Sequence, residues 1–512
     1  MNRKKFPIRS VVKKTVISIN ILSLLVGCTL PASVEGIFKD PTPTPIPAPY
    51  YLQLGDDYLF EGDYESAENH YQEVLAIEPE HGGALGRLAY IKAIQVESRS
   101  EAIAMVDEVV NIAPDHAESW AFHSLVYLRN YHHDEAISSS EKAIELDSQN
   151  VWAQIARCQV SRVLRDAEAA QQAAEEALKV SLGHPEALIC LSYALSDSGQ
   201  IDKGMEAANQ AYDVAPNYIF SILALADSHI MAIEFTEAES LLEQGLIENP
   251  DNIHLILAKV NLYQLQDRLI PAGNEMSRVK ALGDEIPEIL NAEGNYQVFI
   301  ETPNYRLSFF DHGLNFFDKS IELDDEFWPA YLGRGWAQYY LTNCEEAADD
   351  FMEVLKRYPQ SGSAHLGLAL SFTCQREYER ADEGFVSASG FEPFDPKIQI
   401  EVGSYYTDID EIEKAELAFD ASLIRGMFNA DLYTTIGYSQ WYDYSGFGTI
   451  QSEFEQALQI AKHDVEAEMG IGYYLLSVGD FEQARDTFQQ VLVNSPLNEE
   501  ALYGLGQAYL FM

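Results

Sequence analysis

Basic side chains are scarce in this sequence. Across 512 residues, 33 Lys and Arg stand against 81 Asp and Glu, a formal net charge of −48. Such a chain repels phosphate backbones and anionic lipid surfaces, which argues against nucleic-acid binding. The acidity serves either solubility or the attraction of basic partners or divalent cations. Catalytic signatures are also missing. No His-Glu-x-x-His, Gly-x-Ser-x-Gly, Gly-x-x-x-x-Gly-Lys or Gly-x-Gly-x-x-Gly occurs, so the expectation is a protein that is not an enzyme and needs no cofactor. No strand-like alternation is sustained after residue 50. The apolar run Thr15–Gly27 is too short for a transmembrane helix, which needs about 20 residues. What is present is enough for a folded body: 47% of residues are hydrophobic, well above a disordered composition.

Targeting is written at the N-terminus. Arg3, Lys4, Lys5, Arg9, Lys13 and Lys14 all precede residue 28, and no acidic residue does. Without them the chain has 27 basic and 81 acidic residues, a net of −54. A basic segment followed by a short apolar core is the pattern of a signal peptide. The core ends in Leu25-Val26-Gly27-Cys28, which resembles the bacterial lipobox. That resemblance implies cleavage before Cys28 and lipidation of Cys28, with residues 1–27 removed. Thr29 stands where the Asp of an inner-membrane retention signal would be. Residues 28–49 form a linker whose alternating prolines, Pro41 to Pro49, favour extended polyproline II. It reads either as a spacer that lifts the body off a membrane or as a Pro-rich ligand. The expected location is extracytoplasmic, lipid-anchored to a bacterial membrane.

Residues 50–512 carry one repeat. Pro79, Pro114, Pro216, Pro250, Pro359, Pro393 and Pro496 each follow a helical segment. Their spacings of 35, 102, 34, 109, 34 and 103 are one or three periods of 34, with one, seven and one residues added. Proline lacks an N–H and clashes with the preceding turn, so a periodic proline marks a periodic helix boundary. Small and aromatic residues recur with it: Tyr51, Leu54, Gly55, Tyr58, Ala67, Tyr71 and Pro79 in the first repeat, Ile471, Gly472, Ala484, Phe488 and Pro496 in the thirteenth. The pattern is similar to the tetratricopeptide signature. It implies an all-α, right-handed superhelical solenoid of about 13 helix hairpins with a terminal helix, Glu500 to Leu510. Small residues at positions 8 and 20 let the two helices of a hairpin approach, and aromatics at positions 11 and 24 fill the space between hairpins.

Two places depart from the period. In the fourth repeat, Val151–His184, Trp152, Ile155 and Ala156 sit about two residues early, with a variant loop at Gly183-His184. The eighth holds seven extra residues near Thr302–Ser308, expected as a loop between its two helices. They are either a tolerated surface loop or a contact element or bend near 300–310.

The resemblance also implies a concave face lined at positions 2, 5, 9 and 12. Position 9 runs through Asp56, Tyr90, Leu125, Asn261, Asn295, Trp336, Tyr438 and Tyr473, and position 5 through Gly86, Ala121, Asn291 and Tyr503. The columns are apolar and aromatic with almost no basic residue, lack the clamp of Lys, Arg and Asn that grips acidic peptide C-termini, and give little sign of a clustered polar pocket. Trp336, Tyr339, Tyr438, Trp441, Tyr473 and Tyr503 are the candidate partner-binding residues, because Tyr and Trp most often anchor protein interfaces. The alternative places them in the core between repeats. The expected partner is an extended or helical protein segment, bound by a scaffold or by an accessory subunit of an envelope machine.

No metal site is expected. Asp408–Glu413 looks faintly like a calcium loop but lacks its glycine and reads as a hairpin turn, and His132-His133-Asp134 reads as a surface turn. Cys158 and Cys190, 32 apart, and Cys344 and Cys374, 30 apart, fall in adjacent repeats. They either bridge neighbouring hairpins or are small buried residues, with Cys344–Cys374 the better placed for a bridge.

Overall fold

Helix starts recur with the period of the prolines. The computed structural model describes residues 46–512 except 96–97, 267, 284, 300–305, 427–432, 439–449, 461–463 and 497. The leader, Cys28, most of the linker and Trp441 lie outside these residues. Among the described residues every regular element is a helix, and none is long and apolar enough to cross a membrane. The first (A) helices of the repeats begin at Ala48, Gly82, Ala117, Val151, Pro185, Ile219, Ile253, Pro287, Trp328, Gly362, Pro396 and Val465, with that of repeat 12 described over 433–438. Successive starts are 34 residues apart except for 35 after Gly82 and 41 after Pro287, and the two repeats from Pro396 to Val465 span 69. A last helix, Glu499–Phe511, packs on the end of the array.

Local chemistry sets these boundaries. Side-chain oxygens of Asp63, Asn150, Asp166, Asn252, Ser361, Asp395, Asp464, Asp480 and Asn498 accept the backbone N–H three residues on, capping the helix each precedes. Among the described residues, the hairpin turn passes through a left-handed residue at position 15 in nine repeats. It is glycine at Gly62, Gly199 and Gly479 but Tyr131, Arg165, Ile233, Thr342, Arg376 and Asp410 elsewhere. Asp410 thus sits in a hairpin turn, as expected for that acidic stretch. The core follows the repeat pattern. Ala67, Tyr71 and Val74, and again Ala347, Phe351 and Val354, are fully buried. Phe351 is wedged between Gly335 of its own repeat and Gly367 of the next, where an added Cβ would strike its ring.

Two expectations are corrected. The fourth repeat is in register: its A helix starts at Val151, 34 residues from both neighbours. Trp152 and Ile155 are not early versions of the signature residues. They occupy positions 2 and 5 and fill the inside of the superhelix, at 2% and 0% exposure. The seven extra residues of repeat 8 are not simply a loop. Its second (B) helix runs Arg306–Leu323, 18 residues against the usual 14, so Arg306, Leu307 and Ser308 are helical. Leu307, Phe310, Leu314, Phe317 and Ile321 continue one helical stripe, which favours extension of the helix. Residues 300–305 lie outside the described residues.

The solenoid winds back onto itself. Hairpin turns of repeats 1–4 pack against repeats five or six further along. Phe60 meets Tyr218 at 5.4 Å between ring centroids, and His254 Nε2 lies 3.1 Å from the Ile94 carbonyl oxygen. Tyr131 stands edge-on to Phe327 at 4.9 Å and to Trp328 at 5.8 Å. Ion pairs Arg99–Glu288 and Arg165–Glu392 complete this seam. His133, read from sequence as part of a surface turn, is buried here against Tyr358 at 4.8 Å and Trp328 at 6.1 Å. The turn is covered by residues 195 and 225 positions further along the chain, which the local sequence does not show.

Candidate functional site: the concave face

The concave columns divide into a filled half and an open half. In repeats 1–5 they form a second core. Arg87, 3% exposed, donates from Nε to Asp56 at 2.6 Å and from Nη1 to Glu118 at 2.8 Å. Its guanidinium lies over Phe122 at 5.1 Å and Trp152 at 5.3 Å. Burial works against an ionised Glu118, but the charge and hydrogen bond of Arg87 outweigh it and hold that carboxyl below its usual range. Further along, buried Glu186 accepts from Tyr90 Oη at 2.6 Å and from Tyr218 Oη, with Arg129 3.7 Å away. Burial and the Glu186 charge push both phenols up, although Arg129 opposes this. Asp56, Tyr90, Gly86, Ala121 and Leu125, expected on an open groove, are therefore spent on internal packing and pairing.

From repeat 7 onward the concave face opens. The A helices of repeats 7 (Ile253–Leu265), 8 (Pro287–Phe299) and 9 (Trp328–Tyr340) enclose a cavity of about 810 Å³. Asn261, Gln264, Asn291 and Asn295 line it together with Trp336, Tyr340 and Lys397, and Arg99 and Tyr131 reach it from the seam. The expectation of no clustered polar pocket is thus overturned. Its signal was present in the sequence, as Asn261, Asn291 and Asn295 fall in the concave columns of two adjacent repeats. His254 lines the same cavity, and burial, with Arg129 and Arg99 nearby, pushes its imidazole down to about 4 against the pull of the Ile94 carbonyl.

The candidate aromatics fall into two groups. Trp336 and Tyr339 are half-buried neighbours with centroids 6.1 Å apart, Trp336 also stacking on Tyr340 at 6.1 Å with the Lys397 ammonium 5.1 Å from its ring. Tyr438 and Tyr473 occupy the same place in repeats 12 and 13, and Tyr503 in the terminal helix is 66% exposed. Trp336, Tyr438 and Tyr473 each rest an edge on the core phenylalanine of their own repeat: Phe351 at 5.3 Å, Phe454 at 5.0 Å and Phe488 at 5.3 Å. Tyr438 Oη donates to the Glu466 carbonyl oxygen at 2.9 Å, and Tyr473 Oη to that of Glu500 at 3.2 Å. These two tyrosines therefore staple one repeat to the next. Two groups of candidates were thus brought together, and Trp441 lies outside the described residues.

Both cysteine pairs are bonded. Cys158–Cys190 joins the A helices of repeats 4 and 5 with Cα atoms 6.4 Å apart, and Cys344–Cys374 joins the hairpin-turn ends of repeats 9 and 10 at 6.2 Å.

Four stretches of the sequence match models described as tetratricopeptide repeat: residues 58–126, 117–150, 332–383 and 469–510. These four stretches carry tetratricopeptide repeats. The Cut9–Hcn1 hetero-tetramer of APC/C is similar at 14% identity over 90% of this chain and 96% of that one, with a TM-score of 0.47. Yeast Tom70 is similar at 15% identity over 91% and 95%, with a TM-score of 0.39. No curated protein matches the sequence. Tetratricopeptide repeats generally mediate protein–protein binding, and scaffolds built from them are generally non-catalytic.

Proposed function

We propose that the protein is a non-catalytic scaffold, lipid-anchored on the outer side of a bacterial membrane, that binds envelope or secreted proteins along the concave face of repeats 9–13. The observation that carries this reading is the Trp336–Tyr339–Tyr340 cluster. These are half-exposed aromatic rings on the part of the concave face that the chain does not fill itself. Aromatic side chains of this kind bury large areas at low entropic cost and anchor protein interfaces. The signal-like N-terminus with Cys28 and the proline-rich spacer support the anchored arrangement. Two disulfides fit an oxidising compartment.

The test compares partners captured from detergent-solubilised membranes by the mature chain and by the Trp336→Ala/Tyr339→Ala variant. The expected result is one envelope protein retained by the first and lost from the second, with equal melting temperatures. Equal capture by both would move binding to the convex face, the acidic surface or the extended region of repeat 8. For the anchor, Cys28→Ala should shift the protein from the membrane to the soluble fraction. The second reading, an accessory subunit of an envelope-assembly, pilus, secretion or glycan-synthesis machine, is favoured by the polar cavity of repeats 7–9 and would show as co-purification with such a machine.

A further inference from the structure

The cavity beneath repeats 7–9 has a chemistry that protein docking on the aromatic cluster does not use. Four carboxamides line it, Asn261 and Asn295 at the same position of consecutive repeats with Gln264 and Asn291, beside the ionisable Arg99, His254, Glu288 and Lys397. A carboxamide carries two donors and an acceptor without net charge, so four of them suit a ligand whose edge alternates hydroxyl donors and acceptors. Trp336, Tyr340 and Tyr131 supply apolar walls. The Asn291 Oδ1 is buried and has no hydrogen-bond partner among the described residues. Leaving such an acceptor unmet costs about 1–3 kcal/mol, a cost that a ligand donor removes once the Asn291 side chain turns into the cavity.

Other ligand classes fit less well. An apolar guest would leave the Asn291 oxygen unmet. The charged side chains are already engaged, Arg99 with Glu288 and Lys397 over the Trp336 ring. An extended polypeptide running through the superhelix needs a groove open at both ends, and this one is closed at one. On its N-terminal side the seam closes it with Tyr131 against Phe327, and beyond the seam the inside of the superhelix is filled by Arg87, Phe122 and Trp152. The volume of about 810 Å³ lies within the ~300–1,000 Å³ of small-molecule sites.

We propose that this cavity binds a short, uncharged saccharide of about two or three rings, a size that falls within the usual small-molecule range. The carboxamides meet its hydroxyls, and the aromatic walls meet its C–H faces. The site is independent of Cys28 but shares Trp336 with the protein-docking cluster; Asn261→Leu and Asn291→Leu leave that ring in place, so loss of saccharide binding and loss of protein capture are told apart.

The test exposes the mature chain, Asn291→Leu and Asn261→Leu to an immobilised glycan array and, in parallel, to an array of uncharged peptides. The account expects the unmodified chain to retain one class of neutral glycan. Each variant should weaken that binding at least ~10-fold, the ratio that one lost hydrogen bond of ~1.4 kcal/mol gives. Asn291→Leu should melt no lower than the unmodified chain without ligand, because it removes an unmet buried acceptor; a purely structural asparagine would melt lower on replacement. Retention of no glycan, retention that survives both substitutions, or binding of peptides in place of glycans would each overturn the proposal.

Discussion

Mild acid should open the seam. Three histidines sit on or beside it, His133 buried and His184 and His254 half-buried. His133 is pushed down to about 4, His184 to about 3 and His254 to about 4, from an ordinary 6.5, in each case chiefly by burial. The groups facing them do little to stabilise a charge. His184 faces Arg87, and His254 faces Arg129 and Arg99 with only the Ile94 carbonyl in favour. For His133, Asp134 favours the charge while His132 opposes it. Because the folded values lie below the unfolded one, the folded state holds fewer protons. The stability is fully present above pH 6.5 and is lost as the pH falls toward 4. At ~1.4 kcal/mol per unit, bringing the pH from 7 to 5 costs about 2 kcal/mol for each histidine, about 6 kcal/mol in all. Asp227, Asp350, Glu392 and Glu401, which burial raises, take up protons in the folded state and offset part of this. The diagnostic quantity is therefore the difference between the unmodified chain and His133→Phe. Hydrogen exchange of the turn amides at 60–64 and 130–134 reads the opening directly. It should accelerate between pH 7 and 5, after correction for intrinsic exchange, and His133→Phe should remove about 2 kcal/mol of that pH dependence. Identical pH dependence in the two proteins would refute the reasoning.

Three further outcomes follow from the packing. Gly367→Ala places a Cβ against the Phe351 ring and should cost about 1–3 kcal/mol in chemical denaturation. Arg87→Leu leaves Asp56 and Glu118 without their shared partner and should cost roughly 3 kcal/mol or more, with exchange protection lost first in repeats 1–3. Peptide mapping without reductant should find Cys158 linked to Cys190 and Cys344 to Cys374, and reduction should lower stability by about 2–4 kcal/mol per bond.

The repeat was legible because it rests on local chemistry. Prolines such as Pro79 and Pro359 stop helices wherever they fall, capping residues such as Asp63 and Asp480 start them, and Tyr71 or Phe351 must meet a small residue in the neighbouring helix. What could not be read was the pitch of the superhelix. Pitch decides whether a hairpin turn faces water or a distant repeat, so Tyr131, His133 and Arg165 look like surface turn residues until the chain is wound. The same blindness made Tyr90 and Leu125 groove residues when they are core, and put Trp152 out of register when it fills the inside. The asparagines of repeats 7 and 8 were visible in the columns, but their convergence on one cavity depends on the seam that closes it.

Site-specific photocrosslinking tests the central claim most directly. A photoreactive amino acid is placed at Tyr339 on the open concave face and, as a control, at exposed Ile247 in the B helix of repeat 6, in the protein expressed in its native cells. The account predicts a discrete crosslink to one envelope protein from position 339 and none from 247. Equal crosslinking at both positions, or none at 339, would contradict a concave-face scaffold.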